Sequence, residues 1–145
     1  MGDTPSEPAV EIAAGCLALR ARMVDRALTR IYADAFRSFE ITAPQLNLLV
    51  AIATVPGATA RDLGQYLWLE KSSVSRNLKH LHSASYIRIE ASGRSQHLYV
   101  TDGGRSLLKS ILPAWRAAQA SARQLIDSEG ERALLDMSAR LHDAS

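Results

Sequence analysis

The stretch that decides the fold is Thr59–Thr101, which reads TARDLGQYLWLEKSSVSRNLKHLHSASYIRIEASGRSQHLYVT. Its pattern predicts a short helix, a turn, a second helix and then a β-hairpin. A short helix that supports a second one with a Ser, Arg and Lys face is the arrangement of a helix-turn-helix. The hairpin that follows would stand beside the second helix as a wing.

Capping signals define where the two helices begin. Thr59, followed three residues later by Asp62, is a variant of the capping box and predicts the start of the supporting helix. Three apolar or aromatic residues are predicted to form its buried edge: Leu63, Tyr66 and Leu67. The second helix is predicted to start at Glu70 or Ser72 and to run to about residue 83.

The second helix has one apolar face and one hydroxylated, basic face. Residues spaced i, i+4 and i+7 are predicted to pack inward, namely Val74, Leu78 and Leu81. The side chains left facing outward are Lys71, Ser72, Ser73, Ser75, Arg76 and Lys79. Such a face is typical of a helix that lies in the major groove of DNA. Arginine is suited to reading a guanine edge, so we expect Arg76 to contact a base and Lys79 with the serines to hold the phosphate backbone.

The hairpin is predicted from period-two alternation around a glycine. Its strands are Tyr86–Glu90 and Gln96–Val100, with a turn at Ser92-Gly93. Arg94 lies at the tip of this wing. We expect it to contact an adjacent minor groove or a phosphate.

The N-terminal part of the chain is predicted to form one long amphipathic helix from about Pro8 to Phe39. Its apolar residues recur every three or four positions: Ile12, Cys16, Leu19, Met23, Ala27, Ile31 and Ala35. A helix of about 30 residues is about 45 Å long. That exceeds what a domain of this size can cover, so part of the stripe is predicted to meet a second subunit. Residues 1–8 are predicted to be disordered.

Thr42, as an N-cap, and Pro44, in the first turn, predict a further helix before the supporting helix. After Thr101 the pattern is helical again. Pro113 is predicted to break or kink this helix, and residues 127–130 to separate a short last helix that ends near Leu141.

Charge is unevenly distributed along the chain. Residues 43–101 hold six Lys and Arg against three acids, whereas the whole chain has a net charge of only +2. A local basic excess is what binding to phosphate requires. The single cysteine suits a reducing cytoplasm. The absence of a signal peptide and of an apolar run of about 20 residues predicts a cytoplasmic protein without a membrane partner.

Several of these features together resemble a known family. They are QLNLLVAI before the supporting helix, SSVSRNLKHL in the second helix, and the sequence Val100-Thr101-Asp102-Gly103-Gly104 that closes the wing. The sequence CLALRAR near the start of the chain and PAWRAAQ in its tail add to the likeness. In their order and spacing they resemble the MarR family of bacterial transcriptional regulators along nearly the whole chain.

The resemblance implies a mainly α fold with a small β-hairpin wing (α+β): a winged helix-turn-helix with long N- and C-terminal dimerisation helices. It divides the chain into a disordered N-terminus (1–8), an N-terminal dimerisation helix (9–40), a DNA-binding lobe (41–101) and C-terminal dimerisation helices (102–145). It further implies a homodimer that represses transcription from a pseudo-palindromic operator and is released by a small, often aromatic, ligand. One departure is visible: the family's wing usually reads Asp-x-Arg, whereas this chain has Ser92-Gly93-Arg94.

Other interpretations stay open at this stage. The basic face of the second helix is also compatible with a solvated surface, and the lobe with a winged-helix module that binds proteins instead of DNA. Cys16 is either a redox sensor, as in a thiol-based repressor, or an apolar packing residue. Trp68 and Trp115 are predicted to be core or interface anchors, with Trp115 equally able to line a ligand cavity.

No catalytic or metal chemistry is predicted. His80 and His82 are two residues apart and so point to nearly opposite sides of a helix, and no carboxylate or thiol lies at ligand spacing beside any histidine. No nucleophile, base and orienting group form a recognisable set. The sequence therefore predicts a protein that is not an enzyme and needs no cofactor.

Overall fold

The computed structural model describes residues 4–144, which are mostly helical with one two-stranded sheet. In chain order the elements are α1 (Glu7–Gly15), α2 (Leu17–Phe36), a 3-10 turn (Arg37–Phe39), α3 (Ala43–Thr54), α4 (Ala60–Leu67), α5 (Lys71–Ser83), β1 (Ile87–Ser92), β2 (Ser95–Val100) and α6 (Asp102–Asp143). The predicted class, mainly helical with a hairpin wing, is confirmed.

The prediction of one long N-terminal helix is wrong, because the chain leaves the helical conformation at Cys16 (φ −73°, ψ 106°). Gly15 precedes the break, and glycine disfavours helix by about 1 kcal/mol relative to alanine. Arg20 Nη2 donates to the carbonyl oxygen of Ala13 at 2.8 Å and so satisfies a carbonyl at the end of α1. The first helix also begins at Glu7, inside the segment predicted to be disordered; residues 1–3 lie outside the described residues.

One hydrophobic core holds the lobe together. Its fully buried side chains come from α3, α4, α5 and the start of β1: Leu48, Leu49, Ile52, Leu63, Val74, Leu81 and Ile87. Phe36 and Ile111 carry this core into α2 and α6. The helices that flank the lobe in sequence are therefore anchored to it at the ends nearest the lobe.

The sequence Val100-Thr101-Asp102-Gly103-Gly104 joins the wing to α6 through close backbone contacts. Thr101 Oγ1 accepts from the Gly104 amide at 3.1 Å and donates to the carbonyl oxygen of Ser85 at 2.6 Å. A Cβ atom on Gly104 would lie 2.2 Å from the Tyr86 carbonyl oxygen. Only glycine allows this approach, which gives the motif its physical meaning.

Helix α6 runs through Pro113 without a break, contrary to the prediction, and bends at Asp127 (φ 56°, ψ −176°). Ile111 and Ala118, on either side of the proline, are both buried, so packing on α2 and the core outweighs the loss of one helical hydrogen bond. Asp127 Oδ1 accepts from the amides of Glu129 and Gly130, both at 2.9 Å. The bend thus lies within the segment, residues 127–130, where the sequence predicts it.

One hydrogen bond joins α2 to α6, and an ion pair within α6 lies near it. The Tyr32 hydroxyl donates to Gln119 Oε1. Burial raises the pKa of Tyr32, an effect that Arg123 opposes and Glu131 reinforces. Arg123 Nε and Glu131 Oε1 lie 2.8 Å apart across the bend.

Beyond the lobe, α1, α2 and the last part of α6 expose many large apolar side chains. These are Val10, Ile12, Leu17, Leu19, Met23, Leu125, Leu135, Met137 and Leu141, of which Leu17 is 84% exposed. Residues 7–15 contribute nothing to the core. Within residues 4–144, no helix combines the length and apolar character needed to cross a membrane.

Candidate nucleic-acid interface

The supporting helix, α4, begins with the predicted capping box. The Thr59 amide donates to Asp62 Oδ2 at 2.8 Å, and the Asp62 amide donates to Thr59 Oγ1 at 3.2 Å. Hydrogen bonds from the Thr59 amide, and to a smaller extent from its hydroxyl, lower the pKa of the Asp62 carboxyl.

The predicted buried edge of α4 is only partly correct. Leu63 is buried as predicted, but Tyr66 is 51% exposed and its ring stacks on His142 of α6. The contact partner of Tyr66 is 76 positions away, beyond the reach of helical periodicity.

The turn between α4 and α5 is tight. Trp68 adopts a left-handed conformation (φ 54°), and the Leu69 amide donates to the Gly64 carbonyl oxygen at 2.9 Å. Trp68 is 61% exposed, which excludes the core role among its two predicted roles, while the role of an interface anchor stays a prediction. Gly64 sits at the crossing, where an added Cβ would come within 3.3 Å of the Leu69 carbonyl oxygen.

Helix α5 presents the predicted basic face to solvent. Val74, Leu78 and Leu81 are buried. On the opposite side lie five exposed side chains without a hydrogen bond or an ion pair in the described part of the chain: Lys71, Ser72, Ser75, Arg76 and Lys79. Ser73 departs from the prediction: it is half-buried at the edge of the packed face, and its carbonyl oxygen accepts from Asn77 Nδ2 at 3.0 Å.

The carboxylates of the lobe leave the cations of α5 unneutralised. Asp62 is engaged by Thr59, and Glu90 by Arg88 on the wing. Glu70 is the N-cap residue of α5 and makes no side-chain cap hydrogen bond. The positive charge of Arg76 and Lys79 is therefore available to an external anion.

The wing is a two-residue hairpin with Ser92 paired to Ser95. Gly93 (φ 59°) takes the first turn position, where a type II′ turn requires a positive φ. The turn is thus Gly93-Arg94, one residue later than predicted. Arg94 is exposed at the tip and pairs with no carboxylate within residues 4–144.

A second arginine, Arg88, is held on the wing. It forms an ion pair with Glu90, and its guanidinium lies 4.4 Å from the centroid of the Tyr99 ring, its cross-strand neighbour. Arg94 thus lacks a neighbouring acid, whereas Glu90 on β1 pairs with Arg88 and orients that arginine instead. Cross-strand pairing explains this contact, which no local sequence signal indicates.

The wing is braced against the loop before α4. The Gly57 amide donates to the Leu98 carbonyl oxygen at 2.9 Å, and the Leu98 amide donates to the Ala58 carbonyl oxygen at 3.1 Å. His97 Nδ1 donates to the Gly57 carbonyl oxygen at 2.8 Å. These bonds fix the wing relative to the supporting helix.

A groove of about 1350 Å³ runs between α4, α5 and the wing, and His142 of α6 forms part of its wall. Its lining includes aromatic and cationic side chains, among them Tyr66, Trp68, Lys71 and Lys79. A smaller cavity of about 660 Å³ lies between α2 and α6, beside Arg26, Arg30 and Leu125. Trp115 lines neither cavity and is 39% exposed.

Cys16, the candidate redox residue, is half-buried at the break between α1 and α2. In residues 4–144, no three His, Cys, Asp or Glu side chains come close enough together to hold a metal ion.

Comparison with known proteins agrees with this geometry. Residues 39–96, from the end of the 3-10 turn to β2, match the model of the MarR family. This region is thus similar to the MarR family. No curated protein matches the sequence at a significant level.

Solved structures extend this likeness to the fold of nearly the whole chain. The transcriptional regulator MosR of Mycobacterium tuberculosis superimposes with a TM-score of 0.76 at 23% identity, over 90% of this chain and 98% of its own. BpsR of Bordetella bronchiseptica, whose DNA binding is regulated by 6-hydroxynicotinic acid, gives 0.77 at 15% identity over 90% and 96%. A MarR-family protein of M. tuberculosis in complex with salicylic acid gives 0.66 at 22% identity over 96% and 97%. The chain therefore has the fold of MarR-family transcriptional regulators.

Proposed function

We propose that this protein is a homodimeric, sequence-specific DNA-binding regulator that represses transcription. The observation that carries the proposal is the outward face of α5, where Lys71, Arg76 and Lys79 are exposed and free of ion pairs. A basic helix whose cations form no ion pairs, next to an unpaired arginine on a wing, complements the negative charge of the phosphates of duplex DNA.

Two serines complete the DNA-binding face. Ser72 and Ser75 are exposed beside the cations and can donate to phosphate oxygens. Arg94 at the wing tip is the second anchor, directed at the minor groove or its phosphates. Ser73, being half-buried, serves mainly to position α5.

Dimerisation is supported by the apolar surface outside the lobe. Leu17, Leu19 and Met23 on α2, with Leu135 and Met137 on α6, are 40–84% exposed. Residues of this size at such exposure, on helices that extend away from the core, mark an interface. A two-fold dimer would place two α5 helices on one face of DNA about one helical turn apart.

Release by a small organic acid, often aromatic, is the proposed mode of regulation. The groove beside α5 combines Tyr66 and Trp68 with Lys71 and Lys79, which suits an aromatic anion. One protein of similar fold is in complex with salicylic acid, and the DNA binding of another is regulated by 6-hydroxynicotinic acid.

The competing trigger is oxidation of Cys16, which is favoured by the position of that residue at the break between α1 and α2. A Cys16→Ser protein that still releases DNA on peroxide treatment would exclude it.

The test is a fluorescence-anisotropy titration against the duplex upstream of the protein's own gene, with a scrambled duplex beside it, at several salt concentrations. The logarithm of affinity should fall linearly with the logarithm of salt, by about 0.9 per phosphate neutralised. A clear preference for the upstream duplex supports the proposal. Weak binding that is independent of both salt and sequence contradicts it and favours a winged-helix module for protein partners.

A further inference from the structure

Trp68 places a bulky side chain where the backbone favours glycine. This residue ends α4 with φ 54° and ψ 41°, a left-handed conformation that glycine adopts without steric cost. The turn is closed by backbone hydrogen bonds, from the Trp68 amide to the Gln65 carbonyl oxygen and from the Leu69 amide to that of Gly64. The turn therefore requires this backbone conformation but does not require an indole.

The indole of Trp68 is not part of the core of the lobe. The residue is 61% exposed and does not belong to the hydrophobic cluster. Within residues 4–144, its ring makes no stacking or cation–π contact, and its Nε1 makes no hydrogen bond. A tryptophan combines a large apolar ring with one polar N–H, which is the composition of a contact residue at an interface.

Trp68 lies where the supporting helix meets the basic helix. It precedes Lys71, the first residue of α5, by three positions, and both residues line the groove that Lys79 also lines. Arg61 adds a further cation to this wall, in which Glu70 is the one carboxylate among the described residues. In a DNA-bound helix-turn-helix, the second helix enters the major groove while the first crosses the backbone. The turn that joins them therefore lies beside the sugar-phosphate chain.

We infer that Trp68 is a contact to the DNA backbone: its Nε1–H donates to a phosphate oxygen, and its ring packs on the adjoining deoxyribose. The inference rests on the proposed function, because it requires that α5 enters the major groove. Indole is a hydrogen-bond donor only, which suits a phosphate oxygen. Since every nucleotide has the same phosphate and sugar, this contact adds affinity without reading the sequence. The indole is also uncharged, so its contact releases no counterions.

The first experiment uses Trp68→Gly, which removes the indole and suits the backbone conformation. Anisotropy should show binding about five- to thirtyfold weaker on the upstream and the scrambled duplex alike. The slope of the logarithm of affinity against that of salt should equal the wild-type slope, whereas Lys79→Ala should reduce it by about 0.9. Wild-type affinity, a loss confined to one duplex, or a reduced salt slope for Trp68→Gly would overturn the inference.

Two controls on the same variant separate a lost contact from a lost structure. The urea midpoint of Trp68→Gly should not fall below that of the wild type, because glycine suits the left-handed position. Sedimentation equilibrium should show the same assembly state for both proteins. A variant that dissociates into smaller species would show that the indole anchors a subunit interface, and would overturn the inference.

A second measurement follows the indole itself. The chain has two tryptophans, so Trp115→Phe leaves Trp68 as the single fluorophore of its kind, and Trp68→Phe leaves Trp115. Saturating duplex should protect Trp68 from quenching by acrylamide and leave Trp115, which does not line the groove, unchanged. Bound duplex that protects neither residue, or both equally, would overturn the inference alone. A wild type that binds no duplex would overturn the proposed function and the inference together.

Discussion

At the scale of single residues, Arg76 and Lys79 share one exposed face of α5 but have different expected roles. Arginine can donate two hydrogen bonds to a guanine edge, whereas lysine acts as a point charge on phosphate. Arg76→Ala should weaken binding to the specific duplex by about 1–3 kcal/mol and relax the preference at one base pair. Lys79→Ala should weaken binding to all duplexes alike.

Anisotropy titrations on the native duplex, on its single-base variants and on random duplex separate these roles. Equal losses of Arg76→Ala affinity on native and random duplex would contradict base reading by Arg76. A loss for Lys79→Ala confined to one sequence would contradict a phosphate role for Lys79.

Gly104 and Gly103 form a matched pair at the start of α6. A methyl group on Gly104 would meet the Tyr86 carbonyl oxygen at 2.2 Å, whereas one on Gly103 would make only an ordinary contact, 3.4 Å from the Ser85 carbonyl oxygen. Gly104→Ala should therefore reduce the free energy of unfolding by about 1–3 kcal/mol. Gly103→Ala should be neutral or stabilising by up to about 1 kcal/mol, through helix propensity. Urea denaturation of both variants decides the matter; equal stabilities would show that the backbone at Tyr86 yields.

At the scale of elements, the capping box of α4 makes the stability of the lobe depend on pH. Hydrogen bonds from Thr59 lower the pKa of Asp62 in the folded protein. Their contribution is fully present above the pKa of a free aspartate, about 3.9, and is lost as the pH falls through the lowered value. Between about pH 5 and about pH 3, the wild type should therefore lose more stability than Asp62→Asn, because the variant has no carboxylate to protonate at this position.

The measurement is the urea midpoint of both proteins across that range. Parallel curves would mean that the carboxylate does not support the cap. Thr59→Ala, which removes the other half of the capping box, should cost about 1 kcal/mol at neutral pH.

Local signals were sufficient to predict most of the lobe. The start of α4 follows from Thr59 and Asp62, the packed face of α5 from Val74, Leu78 and Leu81, and the hairpin from alternation around Gly93. Each of these depends on residues within a few positions of one another. The basic face of α5 is exposed as predicted, but its contact with DNA stays a prediction.

Features that depend on distant parts of the chain were missed or predicted wrongly. The spacing of Tyr66 from Leu63 predicts a place on the buried edge of α4, whereas Tyr66 is exposed and stacks on His142. The sequence predicts that Pro113 breaks or kinks α6, but the buried neighbours on either side keep the helix continuous. The break at Cys16 had only the weak local signal of Gly15.

At the scale of the whole molecule, the exposed apolar face of α2 should hold two chains together. Met23 is 54% exposed on this face. Met23→Glu would place an unpaired carboxylate in an apolar interface, which should weaken dimerisation by more than about tenfold. Arg22→Glu, one position away and on a different side of the helix, is the control and should remain dimeric. Sedimentation equilibrium measures both; a Met23→Glu protein as dimeric as the wild type would place the interface elsewhere.

The most direct test of a dimeric DNA reader is selection of duplexes from a randomised library by the full-length protein. A two-fold dimer with one α5 helix per half-site should enrich a pseudo-palindrome whose half-sites lie about one helical turn apart. Enrichment of such a sequence, lost in Arg76→Ala, is the predicted result. A library that remains random after several rounds, or a single asymmetric half-site, would contradict the proposal that two α5 helices read DNA together.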